Sequence, residues 1–103
     1  MSDAQVPRFE VRLERQGSSL RIAVAGELDI ATVPEVAPHI ESDHTEEVLL
    51  DLSGISFIDS TGLRLLIEAH QALGERLSIL PSPVCVRLFD ITGVRDRLPL
   101  VDA

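Results

Sequence analysis

The stretch of this chain best suited to chemistry is residues 59–62, whose sequence is Asp-Ser-Thr-Gly. It places a carboxylate and two hydroxyls beside a glycine, between an apolar run and an amphipathic run. A hydroxyl at the amino end of a helix is well placed to carry a phosphate, because the first backbone N–H groups are unpaired and partially positive. The spacing therefore indicates a phosphate site with Ser60 or Thr61 as its hydroxyl. Equally, either hydroxyl could simply cap the helix.

Two elements must position this stretch. Val48–Leu52 is an almost continuous apolar run broken only by Asp51, which is typical of a strand buried on both faces. From Leu63 to Gly74, apolar residues recur at helical spacing. Residues 59–62 are thus predicted to form a loop beyond the carboxyl end of a central strand, where sites in open α/β sheets collect. Asp51 is expected near a helix amino end or at the surface, and we assign it no chemistry.

Other kinds of site find little support. All nine basic residues are Arg, so P-loop and Schiff-base lysines are excluded. Cys85 is the single cysteine, which excludes an intramolecular disulfide and indicates a small core residue. The three histidines, His39, His44 and His70, lack metal-ligand spacing, and His70 is expected to be buried, neutral and hydrogen-bonded. Without a Ser-His-Asp or Cys-His pattern, we expect no enzyme, no metal and no cofactor.

The charge and length bound the class of protein. A net charge of −8 disfavours nucleic acid as a partner, because its phosphates would be repelled, and favours a protein with a basic face. The sequence has no signal pattern and no apolar run of membrane-spanning length, so we expect a cytoplasmic protein that does not enter a membrane. The 103 residues correspond to a single domain, 1–103, in which residues 1–7 are a frayed terminus.

The order of elements predicts an α/β fold. Arg8–Glu14 and Leu20–Ala25 alternate apolar and polar or small residues and should form a hairpin. A run of βα units follows, giving the order β-β-α-β-α-β-α. We therefore expect a mixed sheet of four to five strands with parallel pairing in its centre and helices packed on it.

Boundary signals place the remaining elements. Thr32 and Glu35 predict a capping box at the start of the first helix. Pro38 should shorten or kink that helix, which we expect to end near Ser42. Three later features complete the prediction: a strand at Leu77–Leu80, a helix that begins at Ser82-Pro83 and ends at Gly93, and a short strand at Leu100-Val101.

Three segments carry a family likeness: Val24–Val36 (VAGELDIATVPEV), Val48–Leu73 (VLLDLSGISFIDSTGLRLLIEAHQAL) and Leu77–Leu98 (LSILPSPVCVRLFDITGVRDRL). They resemble the STAS domain, and more closely the bacterial anti-sigma factor antagonists. The likeness covers nearly the whole chain in the right order, and Asp-Ser-Thr-Gly-Leu after an apolar strand is its most specific part. The resemblance implies the STAS fold. It also implies a last helix packed on the sheet, which we expect to be short or missing after Leu98.

The resemblance also implies a function. Family antagonists bind an anti-sigma factor with a histidine-kinase-like ATPase fold and so release a sigma factor. The anti-sigma factor phosphorylates a serine of the antagonist, which ends the interaction, and a phosphoserine phosphatase restores it. By motif position, the phosphorylated residue would be Ser60 rather than Thr61. The partner-binding residues implied in the same way are Asp29, Asp59, Ser60, Thr61, Gly62, Leu63 and Arg64.

Several alternatives stay open at this point. The chain could be a STAS scaffold, or an accessory subunit of a lipid or anion transport system, with Ser60 only a helix cap. Gly62 could serve loop geometry or could let a kinase approach the backbone closely. Asp59 could be a second capping acceptor or could orient the serine hydroxyl, and Asp29 could be a simple turn residue.

Overall fold

The computed structural model describes residues 9–41 and 47–102. The predicted frayed terminus at residues 1–7 and the first residue of the predicted hairpin lie outside the described residues. The order of elements along the described part is the predicted β-β-α-β-α-β-α. Its elements are β1 (Phe9–Gln16), β2 (Ser19–Leu28), α1 (Val33–Glu41), β3 (Glu47–Ile58), α2 (Ser60–Leu73), β4 (Leu77–Leu80) and α3 (Pro83–Thr92), with single 3-10 turns at Gly74–Arg76 and Arg95–Arg97.

The strands form one mixed sheet in the order β1-β2-β3-β4. β1 and β2 are an antiparallel hairpin, whereas β3 pairs in parallel with both β2 and β4. Leu100 adds a parallel bridge to Ile79, and the N–H of Val101 donates to the carbonyl of Ile79 at 2.8 Å. The prediction of a mixed sheet of four to five strands is therefore confirmed with four strands, and the predicted short strand at Leu100-Val101 is reduced to this single bridge.

One face of the sheet carries the core. Along β2, Leu20, Ile22 and Val24 are buried while Arg21 between them is exposed. This alternation leaves the opposite face of β1 and β2 open as a groove of about 300 Å³. Parallel strands added in one direction through a sheet are joined by right-handed crossovers, which places α1 and α2 together on the covered face, where they contact each other.

Helix α3 follows its predicted boundaries. Ser82 is the residue before the helix, Pro83 is its first residue, and Gly93 ends it with a left-handed φ of +73°. The Ser82 hydroxyl makes no cap hydrogen bond; it donates to the Sγ of Cys85 at 3.3 Å. Cys85 and Phe89 are fully buried, so the prediction that Cys85 is a core residue is confirmed.

Strand β3 is longer than predicted. It continues from the apolar run to Ile58, because its pairing with β2 continues as far as Leu28. Two register irregularities in this pairing shift the alternation of inward and outward side chains. Gly54 lies in this stretch against Ala25, where a Cβ on the glycine would stand 2.9 Å from the alanine Cβ. Because of these irregularities, the sequence that leads to residues 59–62 does not show the regular apolar–polar alternation of a strand.

Asp51 lies inside the sheet, against our expectation of a place near a helix end or the surface. Its side chain is 4% exposed and pairs with the guanidinium of Arg21, whose Nε donates to Oδ2 at 3.1 Å. The backbone N–H and hydroxyl of Ser53 donate to Oδ1 at 3.0 and 2.7 Å. Burial alone would raise the pKa of Asp51, but the hydrogen bonds from Ser53 and Arg21 outweigh it and lower the pKa.

The start of α1 differs from the predicted capping box. The hydroxyl of Thr32 turns back into the preceding loop, where it donates to the carbonyl of Glu27 at 2.7 Å and accepts from the N–H of Asp29 at 2.9 Å. Thr32 thus braces the loop after β2, and no hydrogen bond of the described residues joins its hydroxyl to Glu35. Pro38 lies inside a helix of nine residues that ends at Glu41, as expected for a short helix.

Candidate functional site

The amino end of α2 is built on Asp59. This residue is the N-cap, with an extended backbone, and its Oδ1 accepts from the N–H groups of Thr61 and Gly62 at 2.9 and 3.1 Å. Two of the unpaired donors at the helix start are therefore satisfied by one carboxylate oxygen. The alternative in which Ser60 or Thr61 caps the helix is wrong, because Asp59 fills that role.

Ser60 is the first residue of α2 and is exposed. The prediction that residues 59–62 form a loop is therefore wrong: only Asp59 lies outside the helix, and residues 60–62 form its first turn. In the part of the chain that the structure describes, no hydrogen bond holds the Ser60 hydroxyl. Thr61 beside it is half-buried. The geometry therefore presents Ser60 as the more accessible of the two hydroxyls.

Two chain segments meet at this point. The N–H of Asp59 donates to the carbonyl of Leu28 at 3.3 Å, which joins the carboxyl ends of β2 and β3. The next residue, Asp29, forms a turn in which its Oδ1 accepts from the N–H groups of Ala31 and Thr32 at 3.0 and 3.2 Å. These hydrogen bonds show that Asp29 is a turn residue. It is half-buried, and its carboxylate lies in the loop adjacent to the start of α2.

Gly62 does not serve loop geometry. It lies in the first turn of the helix and is buried, so that interpretation is wrong, whereas its role toward a kinase stays a prediction. A Cβ at this position would stand 2.8 Å from both the Leu28 carbonyl oxygen and the Cγ1 of Ile58. Glycine is needed here because α2 packs directly against the ends of two strands, as glycines do where a helix approaches a sheet closely.

Leu63 and Arg64 differ sharply in exposure. Leu63 is 8% exposed and belongs to the core, and its implied role in partner binding stays a prediction. Arg64 faces solvent, with its side chain 79% exposed, and its Nε lies 3.5 Å from Oε2 of Glu68. Of the seven implied partner-binding residues, the structure brings Ser60, Arg64 and part of Thr61, Asp59 and Asp29 to the surface, and buries the other two.

Two exposed apolar residues near this end of the sheet were not anticipated. Ile30, in the turn after β2, is 73% exposed, and Phe57, near the end of β3, is 46% exposed. Their elements are the two that the Asp59–Leu28 hydrogen bond joins. The exposure of Ile30 could have been predicted from its place in a turn, where no strand or helix buries an isoleucine. Phe57 was hidden by the shifted alternation of β3.

His70 departs from the expectation in two respects. The residue is half-buried rather than buried, and its Nδ1 atom has no hydrogen-bond partner in the described part of the chain. It lines a groove with Ile67, Val94 and Leu98. Within residues 9–41 and 47–102, no group of three or more His, Cys, Asp or Glu side chains could hold a metal ion. None of the helices described is long and apolar enough to cross a membrane.

Comparison with known proteins places this geometry in a family. The family model described as "Mlab, STAS domain" matches residues 11–102. An anti-sigma-B factor antagonist of Staphylococcus aureus is 39% identical over 97 residues, which are 87% of this chain and 90% of that protein.

Solved structures share the fold. An anti-sigma factor antagonist from Mycobacterium paratuberculosis superimposes with a TM-score of 0.81 at 24% identity, covering 94% of this chain and 89% of that one. The anti-sigma factor antagonist SpoIIAA in its unphosphorylated form gives a TM-score of 0.70 at 24% identity and covers 91% of this chain and 88% of that one. Its structure as the Bacillus cell fate determinant in the phosphorylated form gives 0.69 at 24% identity, with 91% of both chains covered. With a family model over almost its whole length and a curated relative at 39% identity, the chain belongs to the STAS domain family of anti-sigma factor antagonists.

Proposed function

We propose that this protein binds an anti-sigma factor and thereby releases a sigma factor, and that phosphorylation of Ser60 ends the interaction. The observation that carries the proposal is the position of Ser60: it is exposed on the first turn of α2 while Asp59 does the capping. The Ser60 hydroxyl therefore has no structural task that a modification would disturb. Support also comes from relatives named anti-sigma-B factor antagonists and from a related fold solved in a phosphorylated form.

The binding surface we propose combines apolar and polar groups. Ile30 and Phe57 supply exposed apolar area, and such residues stabilise a complex when a partner covers them. Ser60 and Arg64 lie on the exposed side of the same helix start. A partner that covers this surface would bring its own groups close to the Ser60 hydroxyl.

The partner is proposed to be a kinase-type anti-sigma factor with a histidine-kinase-like ATPase fold. In the transfer step, Ser60 Oγ bonds to the γ-phosphorus of ATP, the bond to the bridging oxygen breaks, and ADP leaves. The hydroxyl proton passes to a base of the partner. A phosphoserine phosphatase would reverse the change by hydrolysing the ester with water. This protein is then a cytoplasmic binding protein and a substrate of its partner, not itself an enzyme.

Charge gives the switch its direction. A phosphate adds about −1.5 to −2 charges, and the helix dipole stabilises it by only about 1 kcal/mol. A like charge held ~4 Å away costs up to ~4 kcal/mol at an effective dielectric near 20. Asp59 and Asp29 already make this region acidic, so repulsion and desolvation in the complex outweigh the dipole. A loss of ~2.8 kcal/mol weakens binding about 100-fold.

The proposal is tested by affinity capture from a native lysate with wild type, Ser60→Ala and Ser60→Glu as parallel baits. We expect wild type and Ser60→Ala to retain an ATPase-fold protein that Ser60→Glu loses. Gln71→Glu is the matched control and should retain that protein, because it adds the same charge at an exposed position about three turns along the same helix. Retention of that protein by Ser60→Glu would contradict the charge switch.

The alternative function is a STAS scaffold or an accessory subunit of a lipid or anion transport system. In that case all baits should retain the same transporter or scaffold proteins, and Ser60→Glu should make no difference. That outcome would preserve the fold and family and remove the proposed role of Ser60.

A further inference from the structure

Ser60 and Arg64 stand four residues apart on α2, and both are exposed. Residues with this spacing are neighbours on one face of a helix. Long helical side chains point back toward the amino end, so the guanidinium of Arg64 can reach the turn that carries Ser60. In the unmodified protein, Arg64 pairs instead with Glu68 at 3.5 Å, between side chains that are 79% and 62% exposed.

The pair with Glu68 is a weak one. Exposed ion pairs contribute little, and a base that precedes an acid by four residues is the less favourable order. A phosphate on Ser60 would give Arg64 the opposite and better order, with the negative charge first. The phosphate would also lie at the positive end of the helix dipole, and a guanidinium can hold it through two parallel hydrogen bonds.

The backbone N–H groups at the start of α2 compete little with Arg64 for the phosphate. The N–H groups of Thr61 and Gly62 already donate to Asp59. Asp59 at the cap and Asp29 in the turn after β2 are acidic and cannot hold a phosphate, and Glu68, the present partner of Arg64, is acidic as well. Arg64 is the only arginine in α2, which makes its side chain the natural receptor of a negative group on Ser60.

We propose that Arg64 is the intramolecular receptor of the phosphate on Ser60, and that its guanidinium leaves Glu68 to pair with the phosphate monoester. The identity of the modified residue rests on the function proposed above. The pair stabilises the free, phosphorylated form, and a phosphatase has to displace Arg64 before it reaches the ester. At the strength of an exposed ion pair, this should slow dephosphorylation by no more than about two-fold.

The test places phosphoserine at position 60 by genetic encoding, so that no kinase is required, and titrates the phosphate by ³¹P NMR. A phosphoserine has a second pKa near 6. At low salt we expect this pKa to be about 0.3 unit lower in the wild-type background than in Arg64→Gln, the roughly two-fold effect of a surface ion pair. At about 1 M salt, where the screening length is about 3 Å, the difference should vanish.

Three further variants separate a specific pair from a general charge effect. Glu68→Gln removes the competitor and should lower the phosphate pKa further. Arg64→Lys should keep part of the shift. Arg87→Gln, an exposed site on α3, removes one positive charge elsewhere and should leave the titration unchanged.

Equal phosphate pKa values in wild type and Arg64→Gln would overturn the pair, as would an equal change in Arg87→Gln. No anti-sigma factor takes part in this titration, so either result leaves the proposed function untouched. Conversely, the bait experiment can fail while the Arg64-dependent shift is observed. The two proposals therefore fail separately.

Discussion

The backbone of Gly62 lies against the carbonyl oxygen of Leu28 so closely that a Cβ on Gly62 would stand only 2.8 Å from it. This contact seats the start of α2 on the end of β2 and so determines where Ser60 emerges. The contact explains why a buried helical position carries the residue with a poor helix propensity.

Gly62→Ala should therefore destabilise the protein. Alanine normally stabilises a helix relative to glycine by up to about 1 kcal/mol, but here a clash with backbone must be relieved, at a cost of about 1–3 kcal/mol. Urea unfolding of the variant measures the balance. The control is the exposed Ala72 of the same helix, where Ala72→Gly should cost about 1 kcal/mol through propensity alone. A Gly62→Ala protein more stable than wild type would contradict the packing argument.

Two substitutions of Asp59 should separate the effect of its capping hydrogen bonds from the effect of its negative charge. Asp59→Ala removes the acceptor for two N–H groups and should lower the free energy of unfolding by about 1 kcal/mol. Asp59→Asn keeps a side-chain oxygen and should change stability much less, while removing a negative charge beside Ser60. Denaturant unfolding of both variants checks this. Equal losses in the two variants would mean that the carboxylate charge, and not the acceptor, stabilises the helix start.

The place of the site was predictable from the sequence, but its internal arrangement was not. Asp, Ser and Thr are all good N-caps, so the local sequence does not say which of them leaves the helix. The choice falls to Asp59 because its own N–H is held by the carbonyl of Leu28, a residue far away in the sequence. Only the pairing of β2 with β3 reveals that constraint.

Helical periodicity and family likeness predicted different surroundings for Leu63. The helical pattern placed it on the apolar face, and the structure buries it, whereas the implied partner-binding set placed it at the interface. The pattern failed in β3 instead, because register irregularities turn Phe57 outward while Ile55 and Ile58 remain inside. A period of two is readable only where the pairing is regular.

Asp51 should make stability depend on pH in the acid range. Its folded-state pKa is lowered relative to an unfolded value near 3.9. The pair therefore contributes stability above that value and loses it as the pH falls through it towards the folded-state pKa. Asp51→Asn should cost about 1–3 kcal/mol at neutral pH, and the gap from wild type should narrow as the pH falls below about 4.

The control for Asp51 is Asp90→Asn. Asp90 also pairs with an arginine, Arg95, at 3.2 Å, but both side chains are more than half exposed. Such a pair should contribute less than about 1 kcal/mol. Urea unfolding at several pH values compares the two. An Asp51→Asn protein whose gap from wild type stayed constant down to pH 3 would contradict the assignment.

Ile30 should contribute to partner binding without contributing to the fold. Its side chain is 73% exposed, so Ile30→Ser should leave the free energy of unfolding within about 0.5 kcal/mol of wild type. If the partner covers this residue, the loss of its apolar contact should weaken binding by about 2 kcal/mol, or roughly 30-fold.

The control is Ile91→Ser, at an isoleucine of 75% exposure on α3. Capture of the partner by both variants gives the measurement: Ile30→Ser should lose it and Ile91→Ser should retain it. Equal retention would place the interface away from the turn that Asp29 begins, whereas loss with both variants would mean that the partner recognises exposed apolar area in general.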